Sequence, residues 1–187
     1  MLMILSWIQN MDALILLYIQ NHIRADFMDG FWKAVTFLGN GGWFWIVLAI
    51  LLLFTVKTRR AGFCALLAMA AGFLITNVLL KNLVGRIRPY DVINGLVPLI
   101  ARQSDASFPS GHACASFASA FVYLRTLPGR WGAAALTLAI LISFSRLYVG
   151  VHYPSDVIAG IVIGIVSGWM VLTLYKRKRP KIDSQTE

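Results

Sequence analysis

The sequence predicts an all-α fold, a polytopic bundle of transmembrane helices, and two observations support this prediction. Of its 187 residues, 58% are hydrophobic and only 13% are charged, whereas about one quarter of a soluble domain is charged. The apolar residues also form blocks long enough to cross a hydrocarbon core. Backbone polar groups in lipid leave little alternative to a helix, and the length suits one domain.

Five apolar blocks predict five membrane-spanning helices. They cover roughly residues 42–56, 61–84, 113–127, 131–149 and 157–175. The connections at 57–60 and 125–130 are short and basic, so the helices that they join run antiparallel. The first block has no sharp start, because Gly39, Asn40, Gly41 and Gly42 interrupt the apolar sequence. The alternative start of this predicted helix lies near residue 31.

The N-terminal segment differs from these blocks. Its first 22 residues are apolar but interrupted by Ser6, Gln9, Asn10 and Asp12. This pattern is typical of a helix lying in the membrane interface, with a sixth, short span as the alternative. We therefore expect three parts: an N-terminal interfacial helical segment at 1–30, a transmembrane domain at 31–175 and a cytoplasmic basic tail at 176–187.

The basic residues indicate an orientation. Ten of them fall on one side of the predicted bundle, in the two short connections and the C-terminal run YKRKRPK. The positive-inside rule makes that side cytoplasmic. Seven others fall on the outer side against the rule: Arg24, Lys33, Lys81, Arg86, Arg88, Arg102 and Arg146. A lone arginine near a helix end usually snorkels to headgroups, and we interpret Arg24, Lys33, Arg86 and Arg102 in that way.

Three polar stretches lie on this outer side. They are KNLVGRIRP, with Lys81, Arg88 and Pro89; SFPSGH, with Pro109, Ser110, Gly111 and His112; and SRLYVGVHYPSD, with Ser145, Arg146, His152 and Asp156. Because antiparallel neighbours end at the same membrane face, these stretches can meet in one pocket near the outer interface.

The residue types in this pocket favour a phosphate. Lys81, Arg88 and Arg146 are donors only, and the arginine fork matches phosphate oxygens. The stretch Ser110-Gly111-His112 begins a helix, where free N–H groups and the helix dipole attract an anion. Gly111 lets an oxyanion approach the backbone without a Cβ in the way.

The two histidines supply reactivity. An imidazole can form a covalent intermediate as a nucleophile, or donate a proton near neutral pH. Asp156 follows His152 by four residues, within reach of one ring nitrogen, and would fix the tautomer so that the other nitrogen faces phosphorus. His112 would then protonate the leaving oxygen. The proximity of Asp156 to His152 is the main reason for choosing which histidine attacks.

The three stretches resemble the motifs of the type 2 phosphatidic acid phosphatase superfamily, membrane lipid phosphatases related to vanadium haloperoxidases. The family patterns K-x6-R-P, P-S-G-H and S-R-x5-H-x3-D match at all eleven specified positions between residues 81 and 156. The resemblance implies a metal-independent hydrolase without a cofactor that works through a phosphohistidine. It implies that His152 is the nucleophile, Asp156 its orienting carboxylate and His112 the general acid. Lys81, Arg88, Ser110, Gly111 and Arg146 would bind the phosphate, with Pro89, Pro109 and Ser145 in supporting positions.

Two other functions stay open on the sequence. A metal site could use the histidines with Asp91, Asp105 or Asp156, but three nearby cations would repel a divalent ion. A non-enzymatic transporter subunit would place its charges along a pathway, whereas these charges gather at helix ends on one face.

The expected partner is a lipid phosphate in the bilayer, with no nucleic acid, and the oligomeric state cannot be inferred from the sequence. A bacterial inner-membrane protein with an outward site resembles the carrier-lipid recyclers, so we expect undecaprenyl pyrophosphate as substrate. Phosphatidylglycerophosphate and phosphatidic acid are the alternatives.

Overall fold

The structure is a computed structural model that describes residues 2–177, with side chains from Ser6 onward. All regular secondary structure within these residues is helical, which confirms the predicted fold class. Most of the predicted basic tail at 176–187 lies outside the described residues.

Seven helices of at least 11 residues make up the described chain. They are α1 (Leu2–Tyr18), α2 (Asp26–Leu38), α3 (Trp43–Leu53), α4 (Arg59–Phe73), α5 (Gly111–Thr126), α6 (Gly129–Tyr148) and α7 (Pro154–Arg177). A π-helical stretch, Leu74–Leu80, and a last turn, Lys81–Val84, extend α4. Shorter helical turns occur at Ile19–Ile23, Asn40–Gly42 and Pro89–Val92.

Length and composition support fewer spans than the five predicted. Among the described residues, three stretches are long and apolar enough to cross a membrane: Arg59–Val92, Gly129–Tyr148 and Pro154–Arg177. The pair Asp26–Leu38 and Asn40–Leu53, bent by 47°, makes a fourth if it counts as one span. Helix α5 has 16 residues and falls below this length. The exact number of spans therefore stays a prediction.

Helix α5 lies at the centre of the bundle, packed against α4, α6 and α7. Its inward residues are small, and Ala118 and Ala120 are fully buried. Opposite them, α7 carries Gly160, Gly164 and Gly168 one turn apart, and a Cβ at each would meet atoms of the α5 segment. Since neighbouring helices rather than lipid cover most of α5, a short helix of modest hydrophobicity suffices there.

The N-terminal segment is joined to the bundle through a buried carboxylate. Helix α1 packs against α7, and Asp12 is only 3% exposed. Its Oδ1 accepts a hydrogen bond from the backbone N–H of Ser155, 2.9 Å away, in the first turn of α7. Asp12 is one of the four polar residues on which the prediction of an interfacial helix depends, and in the structure its side chain is buried and accepts from a free N–H of the first turn of α7.

Candidate active site

One end of the helical bundle brings the three polar stretches together. Lys81 lies at the end of the α4 extension, Gly111 and His112 begin α5, and Arg146 lies in the last turn of α6. A cavity of about 950 Å³ opens among them. Its wall includes six of the predicted site residues: Lys81, Arg88, Gly111, His112, Arg146 and His152.

His152 lies on the cavity wall, with the buried Asp156 next to it. His152 is in the loop between α6 and α7 and is 2% exposed. Its Nδ1 is 3.5 Å from Oδ2 of Asp156, and its Nε2 is 3.1 Å from Nη1 of Arg88. The carboxylate thus faces one ring nitrogen while the other faces a cation of the cavity. At 3.5 Å the Nδ1 contact is longer than an ordinary hydrogen bond, as is common in substrate-free sites.

The Asp156 carboxylate is held by several donors. Its Oδ2 accepts from Oγ of Ser107, 2.5 Å away, and from the backbone N–H of Tyr153, 3.0 Å away. Its Oδ1 accepts from Nη1 of Arg86 at 2.6 Å. With these donors in place, the carboxylate has a fixed direction, as a group that orients an imidazole needs.

Four cations line the cavity, Lys33 among them, and the three that were predicted to bind phosphate differ in their partners. Lys81 pairs with the carboxylate of Asp105, and Nη2 of Arg88 lies 2.6 Å from the other oxygen of that group. Arg146 is 1% exposed and donates to Oγ1 of Thr36 over 2.6 Å. Asp105 therefore bridges two of the cations that were predicted to bind phosphate.

Electrostatics within this cluster affect two groups that lie outside the helical spans. Burial, together with the cations Arg146, Arg88 and Lys81, holds the pKa of His152 well below its ordinary value. Burial opposes ionisation of Asp105, but Lys81 and Arg88 outweigh that effect and hold its pKa below the usual range. At neutral pH these shifts favour an uncharged His152 and an ionised Asp105.

The start of α5 has the anion-binding features expected from the sequence. Ser110 is the N-cap, and its Oγ accepts from the N–H of Ala113 at 3.5 Å. The hydroxyl is fully buried and caps the helix, and Ser110 is not part of the cavity wall, so its role with phosphate stays a prediction. Gly111 and His112 do reach the wall. Nε2 of His112 lies 3.0 Å from Oδ1 of Asn40.

The supporting residues lie behind the wall. Ser145 is fully buried, and its Oγ donates to the carbonyl of Ile142 over 2.6 Å. Pro89 opens the short turn after Arg88. Pro109 precedes the N-cap of α5. Their supporting roles at the site stay predictions.

Arg86 was expected to snorkel towards headgroups, and the structure contradicts that interpretation. Its Nη2 lies 2.7 Å from Oδ2 of Asp12, its Nη1 pairs with Asp156, and its guanidinium stacks 3.8 Å from the ring centre of Tyr153. Arg24 was also misassigned, because it donates to the carbonyls of Tyr148 and Val97.

Several residues of the site were not singled out from the sequence. They are Asp12, Thr36, Asn40 and Ser107, while Asp105 was considered only as a metal ligand. One signal was available for Asp12: a carboxylate within an apolar helix needs a partner, and unexplained arginines stood on the same side. Thr36 and Asn40 carry no comparable signal. Within residues 2–177, no group of three or more His, Cys, Asp or Glu side chains is arranged to hold a metal ion.

Known proteins resemble this chain in sequence and in fold. A family model described as the PAP2 superfamily matches residues 61–180. An undecaprenyl-diphosphatase of Sulfolobus acidocaldarius is 35% identical over 120 residues, which cover 64% of this chain and 58% of that protein. A lipid A 4'-phosphatase of Bacteroides thetaiotaomicron is 29% identical, over 97% of this chain and 84% of its own length. The crystal structure of a phosphatidylglycerolphosphate phosphatase from Bacillus subtilis superposes with a TM-score of 0.73 and 28% identity, over 94% of this chain and 89% of that one.

Proposed function

Because the chain belongs to the PAP2 superfamily, as its three motifs predicted, we propose that it is a membrane lipid phosphatase working through a phosphohistidine. Its relatives support the predicted enzyme class, a lipid phosphate hydrolase. The observation that carries the proposal is the orientation of His152. Nδ1 faces a fixed carboxylate, and Nε2 faces a cation of the cavity.

In the first step Nε2 of His152 attacks phosphorus, and the bond from phosphorus to the lipid oxygen breaks. His112 gives its proton to that leaving oxygen. The cations Lys81, Arg88 and Arg146, with the N–H groups at the start of α5, stabilise charge on the phosphoryl oxygens. In the second step a water attacks the phosphohistidine, with His112 accepting its proton, and phosphate leaves.

A lipid substrate is supported by the apolar part of the cavity. Leu66, Met69, Ala70, Phe73 and Leu74 line it and recur every three or four residues along one face of α4. From Leu66 to Lys81 this face runs roughly 22 Å at 1.5 Å per residue. That length far exceeds a phosphate and suits a hydrocarbon tail with its headgroup at Lys81.

Among lipids we favour undecaprenyl pyrophosphate, with phosphatidylglycerophosphate or phosphatidic acid as the alternative substrate. The relatives are named for different lipids, and they support the class of substrate more firmly than one member of it. We further propose a multi-pass protein of the bacterial inner membrane, with the cavity facing the periplasm and the C terminus in the cytoplasm, because the basic connections gather at the opposite end.

The test is phosphate release by the purified protein from a panel of these lipids, with a chelator present. We expect release from at least one lipid phosphate, undiminished by the chelator, and loss of release in His152→Ala with the fold retained. Hydrolysis unchanged in His152→Ala would contradict the phosphohistidine. Activity abolished by chelator and restored by metal would contradict the metal-independent mechanism. A folded protein that releases phosphate from none of the panel would favour the transporter alternative.

A further inference from the structure

His112, the predicted general acid, contacts Asn40 in the N-terminal third of the chain. Nε2 of His112 lies 3.0 Å from Oδ1 of Asn40, which is 72 positions earlier and lies on the cavity wall. Asn40 also lies outside residues 61–180, to which the family model applies. The three family motifs therefore do not include this contact.

The backbone around Asn40 is shaped to make the contact. Helices α2 and α3 meet there at a 47° bend. Gly41 and Gly42 have φ values of 59° and 69°, the left-handed region that side chains with a Cβ avoid. Gly39 is buried, and a Cβ added to it would overlap the ring of His112 and the side chain of Ile142. The glycines thus allow the turn to approach the imidazole closely.

The contact determines which ring nitrogen carries the transferable proton. A neutral imidazole has one N–H and one lone pair, whereas an amide oxygen only accepts. Asn40 Oδ1 therefore selects the form of His112 with hydrogen on Nε2. The proton lost to the leaving oxygen then comes from Nδ1, and the neutral ring that remains keeps its bond to Asn40. No rotation of the ring is needed between protonated and neutral forms.

We propose that Asn40 is a positioning residue for proton transfer by His112, fixing the ring and its Nε2–H tautomer. This inference depends on the proposed function, in which His112 protonates the leaving oxygen. As the bond from phosphorus to the lipid oxygen breaks and the bond to His152 forms, the imidazolium form of His112, which carries hydrogen on both ring nitrogens, gives its Nδ1 proton to the departing oxygen and becomes the neutral Nε2–H ring.

Two isosteric variants and two substrates test the proposal. Asn40→Leu removes the acceptor, and Asn40→Asp keeps it. Phosphatidic acid has an alkoxide leaving group that needs protonation, whereas p-nitrophenyl phosphate has a stable leaving group. General acids contribute about 10²–10⁴-fold. We expect Asn40→Leu to lower the single-turnover rate of phosphoenzyme formation from phosphatidic acid by about 10- to 100-fold, part of that contribution, with little change in that rate for p-nitrophenyl phosphate. Asn40→Asp should retain turnover of both substrates.

The matched control is Asn82→Leu, since Asn82 is exposed and donates to the carbonyl of Val78 in its own helix. It should change neither substrate's turnover, and thermal unfolding should show that all three variants are folded. An equal loss for both substrates in Asn40→Leu, or no loss for either, would overturn the proposal. So would a failure of Asn40→Asp to retain turnover of phosphatidic acid.

A spectroscopic measurement keeps this inference separate from the proposed function. Nitrogen-15 NMR of labelled histidine in the detergent-solubilised protein, assigned with His→Ala variants, reports the tautomer of His112 whether or not any substrate is turned over. We expect the Nε2–H form in the wild type and a mixture in Asn40→Leu. A wild-type Nδ1–H form, or the same spectrum in both proteins, would overturn the role of Asn40 even if the phosphatase activity is established.

Discussion

Arg86 holds one oxygen of the Asp156 carboxylate while the other oxygen faces His152. Nη1 of Arg86 lies 2.6 Å from Oδ1 of Asp156, and Oδ2 lies 3.5 Å from Nδ1 of His152. Nη2 of the same guanidinium pairs with Asp12 of α1. One arginine thus connects the N-terminal helix to the carboxylate beside the predicted nucleophile.

Replacing Arg86 by methionine should damage both activity and stability. The change leaves the carboxylates of Asp12 and Asp156 buried without their cation, and breaking a buried pair in this way costs about 3–5 kcal/mol. We expect a lower unfolding temperature and, in the folded fraction, a fall in kcat of about 10- to 100-fold, as for other residues that orient a reactive group. The measurements are thermal unfolding and single-turnover kinetics.

Arg102→Met is the matched control. Arg102 pairs with Asp91 at 2.9 Å, but their side chains are 69% and 40% exposed, and such surface pairs contribute about 0–1 kcal/mol. Equal effects of the two substitutions would show that Arg86 has no special relation to Asp156.

We expect His152 to keep attacking the substrate phosphorus at acidic pH. A protonated imidazole has no lone pair, so attack is lost as the pH falls through the pKa of His152 in the folded protein. Burial and nearby cations lower that pKa, and the acid limb of phosphoenzyme formation should therefore lie below pH 6.5, the ordinary pKa of histidine. Single-turnover trapping of the phosphoenzyme across this pH range measures the limb.

Asp105 provides the internal comparison, because its charge raises the pKa of His152. Asp105→Asn should move the acid limb to still lower pH, whereas a limb caused by ionisation of the substrate would stay in place. This interpretation would be contradicted by an acid limb above pH 6.5, or by a shift of the limb to higher pH in Asp105→Asn.

Asp105 should also compete with phosphate for Lys81 and Arg88, since it bridges both cations in the substrate-free site. Asp105→Asn keeps the shape and removes the charge. We expect inorganic phosphate to inhibit the variant at about 3- to 10-fold lower concentration, consistent with an ion pair of about 1 kcal/mol at a half-exposed carboxylate. The measurement is the competitive inhibition constant of inorganic phosphate for the wild type and for Asp105→Asn, with Asp91→Asn as the control. Weaker inhibition would mean that Asp105 positions the cations instead.

Gly164→Ala should destabilise the bundle. A Cβ there would meet the backbone of α5 at Cys114 and Ala118, which cannot move aside as a flexible side chain can. We expect a loss of about 1–3 kcal/mol, the usual cost of overpacking. At Gly129, by contrast, a Cβ would have none of the described atoms within 4 Å. Thermal unfolding of the two alanine variants should therefore differ, and equal unfolding temperatures would contradict close packing of α5 on α7.

The sequence alone determined the helical class, the family and six of the polar residues that line the cavity. Lys81, His112 and His152 could be found because their motifs lie at helix ends, where short-range spacing fixes the geometry. Apolar block length likewise predicted α4, α6 and α7 closely.

Only the tertiary structure decided which residues hold those groups in place. Asp12, Asn40 and Asp105 contact Arg86, His112 and Lys81 across 74, 72 and 24 positions of the chain. Such pairings depend on how the helices pack, and no local spacing encodes them. The same reason explains why Arg86 was misread: an arginine near the membrane surface looks like a headgroup anchor until packing brings two carboxylates to it.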